Sequence, residues 1–164
     1  MIRSIRQYPD KSLRRIAEEV REINDEIQQL CSDMIETMYA AKGIGLAANQ
    51  VGISLRIVTL ETGSEKGSRP LVILNPRIIE LDEEDTSEEG CLSIPGFYEV
   101  VKRARKAIVK GISLKGKELT IECEDLLARA SQHEVDHLNG ILFVDHLSPV
   151  KKQLFKREYL KEKK

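Results

Sequence analysis

The sequence predicts a single α+β domain over residues 1–164, with mixed or antiparallel strands around a central metal-binding helix. Three segments space their apolar residues as helices do, whereas several short runs have the composition of β-strands. These segments do not alternate as strand, helix and strand, which argues against a doubly wound parallel sheet. A chain of 164 residues is long enough to bury one core without disulfides or structural metals.

The first predicted helix begins after residue 24. Asn24 or Asp25 can cap it, and Gly43 can end it. Its apolar residues recur every three or four positions, which is one face of a helix. They are Ile27, Leu30, Cys31, Met34, Ile35 and Met38. We therefore expect Cys31 and the two methionines to belong to the core.

A glycine- and alanine-rich stretch follows at 43–50 (GIGLAANQ), where another backbone could approach closely. It lacks the full glycine pattern of a dinucleotide-binding loop. Residues 55–60 and 71–74 are predicted strands, joined by a polar loop at 61–69. The acidic residues at 82–89 are predicted to form a solvated loop.

Residues 107–114 and 118–123 flank Lys-Gly-Lys at 115–117 and are predicted to form a hairpin. Glu124 or Asp125 can then begin a second helix, with Gly140 just past its end. A last amphipathic helix is predicted at about 149–161, so that 148–164 forms a basic C-terminal helix.

The most informative motif is His-Glu-Val-Asp-His at 133–137, within the second helix. Two histidines four residues apart project from the same helical face and can bind one divalent cation. Glu134 follows the first histidine and is placed to take a proton from a water molecule rather than to ligate. This pattern predicts a metal-dependent hydrolase.

A catalytic site of this kind needs a third protein ligand, and spacing alone leaves the choice open. An extended metzincin pattern would need a histidine at position 143, which is Phe143. His146 lies past the helix end, and Glu158 lies at the spacing of thermolysin-type sites but within the basic terminal helix. Cys91 is the fourth candidate, and its thiolate suits zinc and ferrous iron alike.

Composition and charge indicate the compartment and the partners to expect. No apolar run approaches a membrane span and the start lacks a secretion-signal core, so we expect a cytoplasmic protein that uses neither membrane nor DNA as partner. Three cysteines argue against a disulfide framework. The segment 151–164 carries seven basic and two acidic side chains, which suits either a solvated helix or contact with ribosomal RNA.

Three motifs in order, GIGLAANQ (43–50), EGCLS (89–93) and QHEVDH (132–137), resemble the signatures of bacterial peptide deformylases. The resemblance extends to YPDKSLRRIAEEV (8–20) and HLSP (146–149), so it covers nearly the whole chain. It implies a metallohydrolase that uses metal-activated water to remove the formyl group from N-terminal formylmethionine of nascent polypeptides, releasing formate. It also implies one divalent cation per chain, with Fe²⁺ as the native metal and Zn²⁺, Ni²⁺ or Co²⁺ as substitutes.

Carried over by position, the resemblance makes Cys91, His133 and His137 the metal ligands. It makes Glu134 the general base and then acid. The side chain of Gln50 and the backbone N–H of Leu92 would stabilise the oxyanion. Four further positions would bind the substrate: Ile44, Gly45, Leu126 and Ala130.

Two positions depart from the family pattern. Tyr98 stands where some members carry a peptide-contacting arginine, and Ala104 follows Arg103 where proline is frequent. Glu89 and Arg103 are expected to form an ion pair, either supporting the Cys91 strand or lying at the surface.

Three other functions remain open at this stage. One is a zinc endopeptidase with Glu158 as third ligand, and another is a non-enzymatic module in which the metal only stabilises the fold. The third is a thiol hydrolase that uses Cys91 with a histidine.

Overall fold

The computed structural model describes residues 1–63 and 69–162, and it confirms the α+β class. One antiparallel sheet of five strands packs against three α-helices. The strands are β1 (Gly45–Ala47), β2 (Ile57–Leu60), β3 (Leu71–Cys91), β4 (Ile94–Ile112) and β5 (Glu118–Glu124). The helices are α1 (Asp25–Ala40), α2 (Asp125–Leu138) and α3 (Pro149–Glu162).

Strands lie in the sheet in chain order, from β1 at one edge to β5 at the other. The dominant feature is the long hairpin of β3 and β4, whose tip is formed by Leu92 and Ser93 between the paired residues Cys91 and Ile94. The sheet thus carries Cys91 to the end of its longest hairpin.

The strand predicted at 71–74 is present but continues to Cys91 as β3. The prediction of a solvated acidic loop at 82–89 was wrong, because this segment belongs to the same strand. Residues 79–88 are mostly exposed on both faces, so they lack the apolar alternation that marks a strand. Cross-strand charge pairs accompany the backbone hydrogen bonds here, such as Glu83 with Lys106 at 3.0 Å. Glu89 also differs from the prediction, since its side chain is buried.

The predicted hairpin around 115–117 is present, with Gly116 at φ +79° in its turn. Its first strand begins much earlier than predicted, at Ile94 instead of residue 107. The predicted loop at 61–69 falls partly on residues 64–68, which lie outside the described residues.

Helix α1 has the predicted cap, because the Asn24 side chain accepts a hydrogen bond from the backbone N–H of Ile27. The residue in the left-handed conformation at its end is Lys42 (φ +58°), not Gly43. The Gly43 N–H donates to the Met38 carbonyl at 2.9 Å, which completes a Schellman motif. A Cβ on Gly43 would lie 2.6 Å from the Leu92 side chain, which would have to shift to accommodate it.

Helix α2 packs across the sheet and forms the centre of the molecule. Ala128 and Leu138 contact the buried side chains of β2 and β4, while Cys31, Met34 and Met38 pack in a neighbouring core cluster as predicted. Gly140 ends α2 at φ +74°, against the backbone of Arg14. This packing holds the helix face that carries both motif histidines.

Helix α3 occupies the predicted position and is attached by two aromatic residues. Phe155 and Tyr159 are buried in a cluster with Phe143 and partly buried Tyr8. The last residues of the predicted basic helix, 163–164, lie outside the described residues. None of the helices in the described part of the chain is long and apolar enough to cross a membrane.

Candidate metal centre

Three candidate ligand atoms converge in the space between β3 and α2. His137 Nε2 lies 3.3 Å from Cys91 Sγ and 3.2 Å from His133 Nε2. All three atoms lie within 4.8 Å of one another. The two imidazoles come from successive turns of α2, and the thiol comes from the last residue of β3. This arrangement forms a possible metal site.

The other candidate ligands do not reach this group. His146 Nε2 instead contacts Asp136 Oδ2 at 2.8 Å, and Glu158 is exposed on α3. Phe143 packs in the aromatic cluster of α3 and also stacks on the His133 ring. The geometry therefore favours Cys91 among the four possibilities that spacing left open.

The donor set suits a divalent transition metal. One sulfur and two imidazole nitrogens are the kinds of ligand that bind zinc and ferrous iron, and three protein ligands leave a position for water. Glu134 Oε1 is buried beside them and has no hydrogen-bond partner within the described residues. A buried carboxylate oxygen without a donor is costly unless a further group satisfies it, so the site fits a bound cation with its water.

His133 is oriented by a buried carboxylate. Its Nδ1 lies 2.8 Å from Glu89 Oε1, which leaves Nε2 directed at the other two donors. Arg103 holds Glu89 through two hydrogen bonds of 2.8 and 3.0 Å, so the expected ion pair is present and buried. Burial alone would raise the pKa of Glu89, but hydrogen bonds from His133 and Arg103 outweigh it and hold the pKa well below its ordinary value.

In the metal-free protein the pKa of one imidazole is lowered and that of the other is raised. Burial lowers the pKa of His137, and the nearby charge of His133 lowers it further. Burial also opposes protonation of His133, but Glu134, Cys91 and Glu89 outweigh it and raise its pKa. A cation that binds His133 Nε2 must displace this proton, so metal binding should be coupled to proton release.

Glu134 is buried beside the ligands, and burial raises its pKa to about 7 despite the opposing charge of His133. Gly45 of β1 faces it, since a Cβ built on Gly45 would lie 2.6 Å from Glu134 Oε2. Glycine at this position therefore leaves the space that the carboxylate occupies.

Gln50 is held in one orientation beside the thiol. Its Oε1 accepts the Ala47 backbone N–H at 3.0 Å, which fixes the amide so that Nε2 points the other way. Nε2 lies 3.1 Å from Ser93 Oγ and 3.6 Å from Cys91 Sγ. A fixed amide donor therefore lies beside the three candidate ligand atoms.

These groups open into a cavity of about 400 Å³. Its lining includes nearly every residue that the sequence assigned to the site, His137 excepted: Ile44, Gly45, Gln50, Cys91, Leu92, Leu126, Ala130, His133 and Glu134. Sequence reasoning missed Arg129, which also lines the cavity and lies four residues before His133. That spacing on one helical face was the signal that could have found it.

An α+β fold with a thiol, two imidazoles and a buried carboxylate beside a cavity is the arrangement expected of the metal-dependent hydrolases as a class. The model of the polypeptide deformylase family matches residues 2–153 of the chain. A peptide deformylase of Thermodesulfovibrio yellowstonii is 48% identical over 163 residues, which is 99% of each chain. A peptide deformylase of Alkalilimnicola ehrlichii is 46% identical over 92% of this chain and 85% of its own length.

Among solved structures, a peptide deformylase from Legionella pneumophila superimposes with a TM-score of 0.93. It is 46% identical, and the match covers 99% of this chain and 96% of that one. The chain therefore belongs to the polypeptide deformylase family, which confirms the resemblance seen in the three sequence motifs.

Proposed function

We propose that Cys91, His133 and His137 bind one divalent cation, beside which Glu134 transfers protons during removal of the formyl group from N-formylmethionine peptides. The family carries out this metal-dependent deformylation, so the proposal concerns how these residues perform it. The observation that supports it most directly is the convergence of three ligand atoms beside a buried carboxylate without a hydrogen-bond partner among the described residues. We further propose that residues 1–164 act as one catalytic domain.

The cation, when bound, would supply Lewis acidity that lowers the pKa of water and polarises the formyl carbonyl. Glu134 accepts the proton of the attacking water through its carboxylate, and then delivers it to the departing amine. A group with both tasks works best with a pKa near the operating pH. In the metal-free protein burial raises the pKa of Glu134 to about 7, and the positive charge of a bound cation would lower it from there.

Negative charge develops on the formyl oxygen as the carbonyl carbon becomes tetrahedral. Gln50 Nε2 and the backbone N–H of Leu92 would donate hydrogen bonds to that oxygen. Because the Ala47 N–H already holds the Gln50 carbonyl, the donor needs little reorganisation during the reaction. One such donor is typically worth about 3 kcal/mol in the barrier.

The cavity supports binding of an extended peptide that begins with methionine. Ile44, Leu126 and Ala130 would surround the flexible thioether side chain. Strand β1 is at the edge of the sheet, so its free edge near Gly45 could pair with the substrate backbone as an added strand. Backbone pairing would make binding tolerant of the residues that follow methionine.

Replacing Gly45 by alanine is expected to lower kcat by roughly 10²-fold, because the new methyl group would displace the Glu134 carboxylate. Steady-state kinetics with a formyl-Met peptide measures this. Gly116→Ala is the matched control, since Gly116 lies in a remote turn at φ +79° with nothing within 4 Å of its added Cβ. It should lose stability but keep kcat. Full kcat in Gly45→Ala would contradict the placement of Glu134.

The proposed function is tested by formate release from a formyl-Met peptide, beside its unformylated twin. Protein purified without oxygen and containing Fe²⁺ should release formate only from the formylated peptide. Chelation should abolish the activity, and Fe²⁺, Zn²⁺, Ni²⁺ or Co²⁺ should restore it to different extents. We propose Fe²⁺ as the native metal. Activity that survives complete metal removal would reject the mechanism.

The alternatives are less well supported by the described residues. A peptidase site would need Glu158, which is exposed on α3. A purely structural metal would need neither the cavity nor the buried carboxylate of Glu134. A thiol hydrolase would need a histidine as base, whereas both nearby histidines share the candidate metal site with Cys91.

We also propose that the enzyme works in the cytoplasm on nascent chains and contacts the ribosome through α3. All three cysteines are free thiols, which suits a reducing compartment. The buried residues Phe155 and Tyr159 attach α3 to the core, so deleting the helix to test this contact would damage the fold. Reversing the charge of exposed Lys156 and Arg157 tests the contact and leaves those buried residues in place.

The double variant Lys156→Glu/Arg157→Glu should bind ribosomes more weakly in cosedimentation at low salt, because phosphate contacts depend on positive charge. Turnover of small peptides should be unaffected. Unchanged cosedimentation would reject this contact.

A further inference from the structure

Arg129 is a buried arginine on α2, one turn before His133, with a side chain only 7% exposed. Its Nη1 donates to Glu89 Oε2 at 2.6 Å and to the Val101 carbonyl at 2.9 Å. Its Nη2 donates to the Asp85 carbonyl at 2.9 Å. One guanidinium therefore connects the metal-binding helix with both strands of the long hairpin.

The carboxylate of Glu89 is shared among four donors. Oε1 receives His133 Nδ1 at 2.8 Å and Arg103 Nη2 at 3.0 Å. Oε2 receives Arg103 Nε at 2.8 Å and Arg129 Nη1 at 2.6 Å. Arg103 also donates to Asp136 at 2.6 Å, so it serves two carboxylates at once. Arg129 therefore supplies a hydrogen bond to Glu89 that Arg103 does not replace.

The position of Glu89 in the chain connects this hydrogen bond with two of the three ligands. Glu89 precedes Cys91 by two residues on β3, and it bonds the ring of His133 on α2. Arg129 and His133 hold the two oxygens of the same carboxylate from adjacent turns of one helix. Glu89 is thus a point at which the thiol-bearing strand and the histidine-bearing helix are joined.

We propose that Arg129 is a positioning residue for the metal centre, acting through Glu89 to keep Cys91 and His133 at the separation that one cation requires. The hydrogen bonds of Arg129 go to Glu89, Val101 and Asp85 and to none of the three ligand atoms, and the bond to Glu89 is the one that leads to the ligands. This inference rests on the metal site proposed above and assigns it a supporting residue. Partners that orient metal ligands are typically worth 10–100-fold in metal affinity.

Arg129 also lines the cavity, so its loss could alter peptide binding as well. The rate of metal release separates the two effects, because that measurement contains no substrate. Protein loaded with Zn²⁺ is mixed with an excess of a chromophoric chelator, and the release rate is followed by absorbance.

Arg129→Met, which keeps an unbranched apolar stem but removes the guanidinium and every donor, is expected to release Zn²⁺ about 10–100-fold faster than the parent. Arg129→Lys keeps the charge but lacks the planar guanidinium fork that reaches Glu89, Val101 and Asp85 together, so its release rate should be intermediate. If the methionine variant fails to fold, the lysine variant decides. Release at the parent rate in a folded variant would overturn the proposal.

Arg105→Ala is the matched control. Arg105 also joins α2 to β3, through Asp125 at 3.1 Å and Glu83 at 3.2 Å, but these bonds are partly exposed and do not involve Glu89. Its removal should change Zn²⁺ release by no more than about twofold, because such surface pairs contribute little. An equally fast release in Arg105→Ala would make the effect a general loosening of the sheet and overturn the proposal.

A double-mutant cycle with Glu89→Gln tests the route of the effect. If Arg129 acts through Glu89, Arg129→Met should accelerate release much less in the Glu89→Gln background than in the parent. Additive effects would mean that Arg129 acts independently of Glu89, against the proposal. A parent protein that binds no Zn²⁺ would instead reject the metal site itself, and this inference with it.

Discussion

Replacing Glu134 by glutamine is expected to lower kcat for deformylation by about 10²–10⁴-fold while the cation stays bound. Glutamine has the same shape as glutamate but cannot accept the proton of water or pass it to the amine. Formate release and metal content, measured on the same preparation, test this. Loss of the cation together with activity would instead make Glu134 a ligand, and retained turnover would place the proton transfer elsewhere.

Glu158→Gln is the matched control for this variant. Glu158 is an exposed glutamate on α3 and was the competing ligand in the sequence. Its replacement should leave both kcat and metal content unchanged. A fall in either would favour the peptidase-type site over the one built around Cys91.

Glu134→Gln should also change how the stability of the metal-free protein depends on pH. Burial raises the pKa of Glu134 to about 7 from the ordinary glutamate value of 4.5. Between these values the folded chain holds a proton that the unfolded chain has lost, so the free energy of unfolding falls as pH rises. Glu134→Gln removes this dependence. As pH rises from 5 to 8, the free energy of unfolding of this variant should therefore increase relative to that of the parent. Denaturant titrations across this range measure the difference.

Replacing Cys91 by serine is expected to weaken metal binding by at least roughly 100-fold, more than the loss of an orienting partner costs. Serine keeps the shape of the side chain but supplies a hydroxyl that stays protonated near neutral pH, in place of a thiolate. Metal content after dialysis and the formate assay both measure the loss. Deformylation should fall with the metal content.

Cys123→Ala is the control for the loss of a cysteine. Cys123 lies in the core cluster beneath α2, remote from the three ligand atoms. This variant should lose some stability, because a buried sulfur is removed, but it should keep the cation. A Cys91→Ser protein that retains one equivalent of cation and full turnover would show that the third ligand is another residue.

The helices were predictable because their signals are local. The cap at Asn24, the apolar spacing of α1 and the glycine after α2 each operate within one or two turns. The long hairpin was not predictable in the same way. Between Ile79 and Glu88 most side chains of β3 meet solvent, and backbone pairing with β4 makes the strand.

The metal centre was likewise predictable only where its residues are close together in the sequence. His133 and His137 lie on one helical face by the period of the helix, and Glu134 follows His133 about 100° further round the same turn. The choice of Cys91 over His146 and Glu158 could not follow from spacing, since many residues separate each candidate from the motif. Family resemblance supplied that choice, and the fold places the Cys91 thiol 3.3 Å from His137.

The sequence by itself determined the helical register of the two histidines and the glutamate, because a periodic backbone needs only neighbouring residues to set it. Only the tertiary structure decided which distant cysteine lies beside these residues. It also decided that Glu89 is buried against His133, and that Arg129 joins α2 to the long hairpin. These contacts depend on how β3, β4 and α2 pack together. Packing between distant segments follows from the total burial and pairing of the chain, which no local pattern encodes.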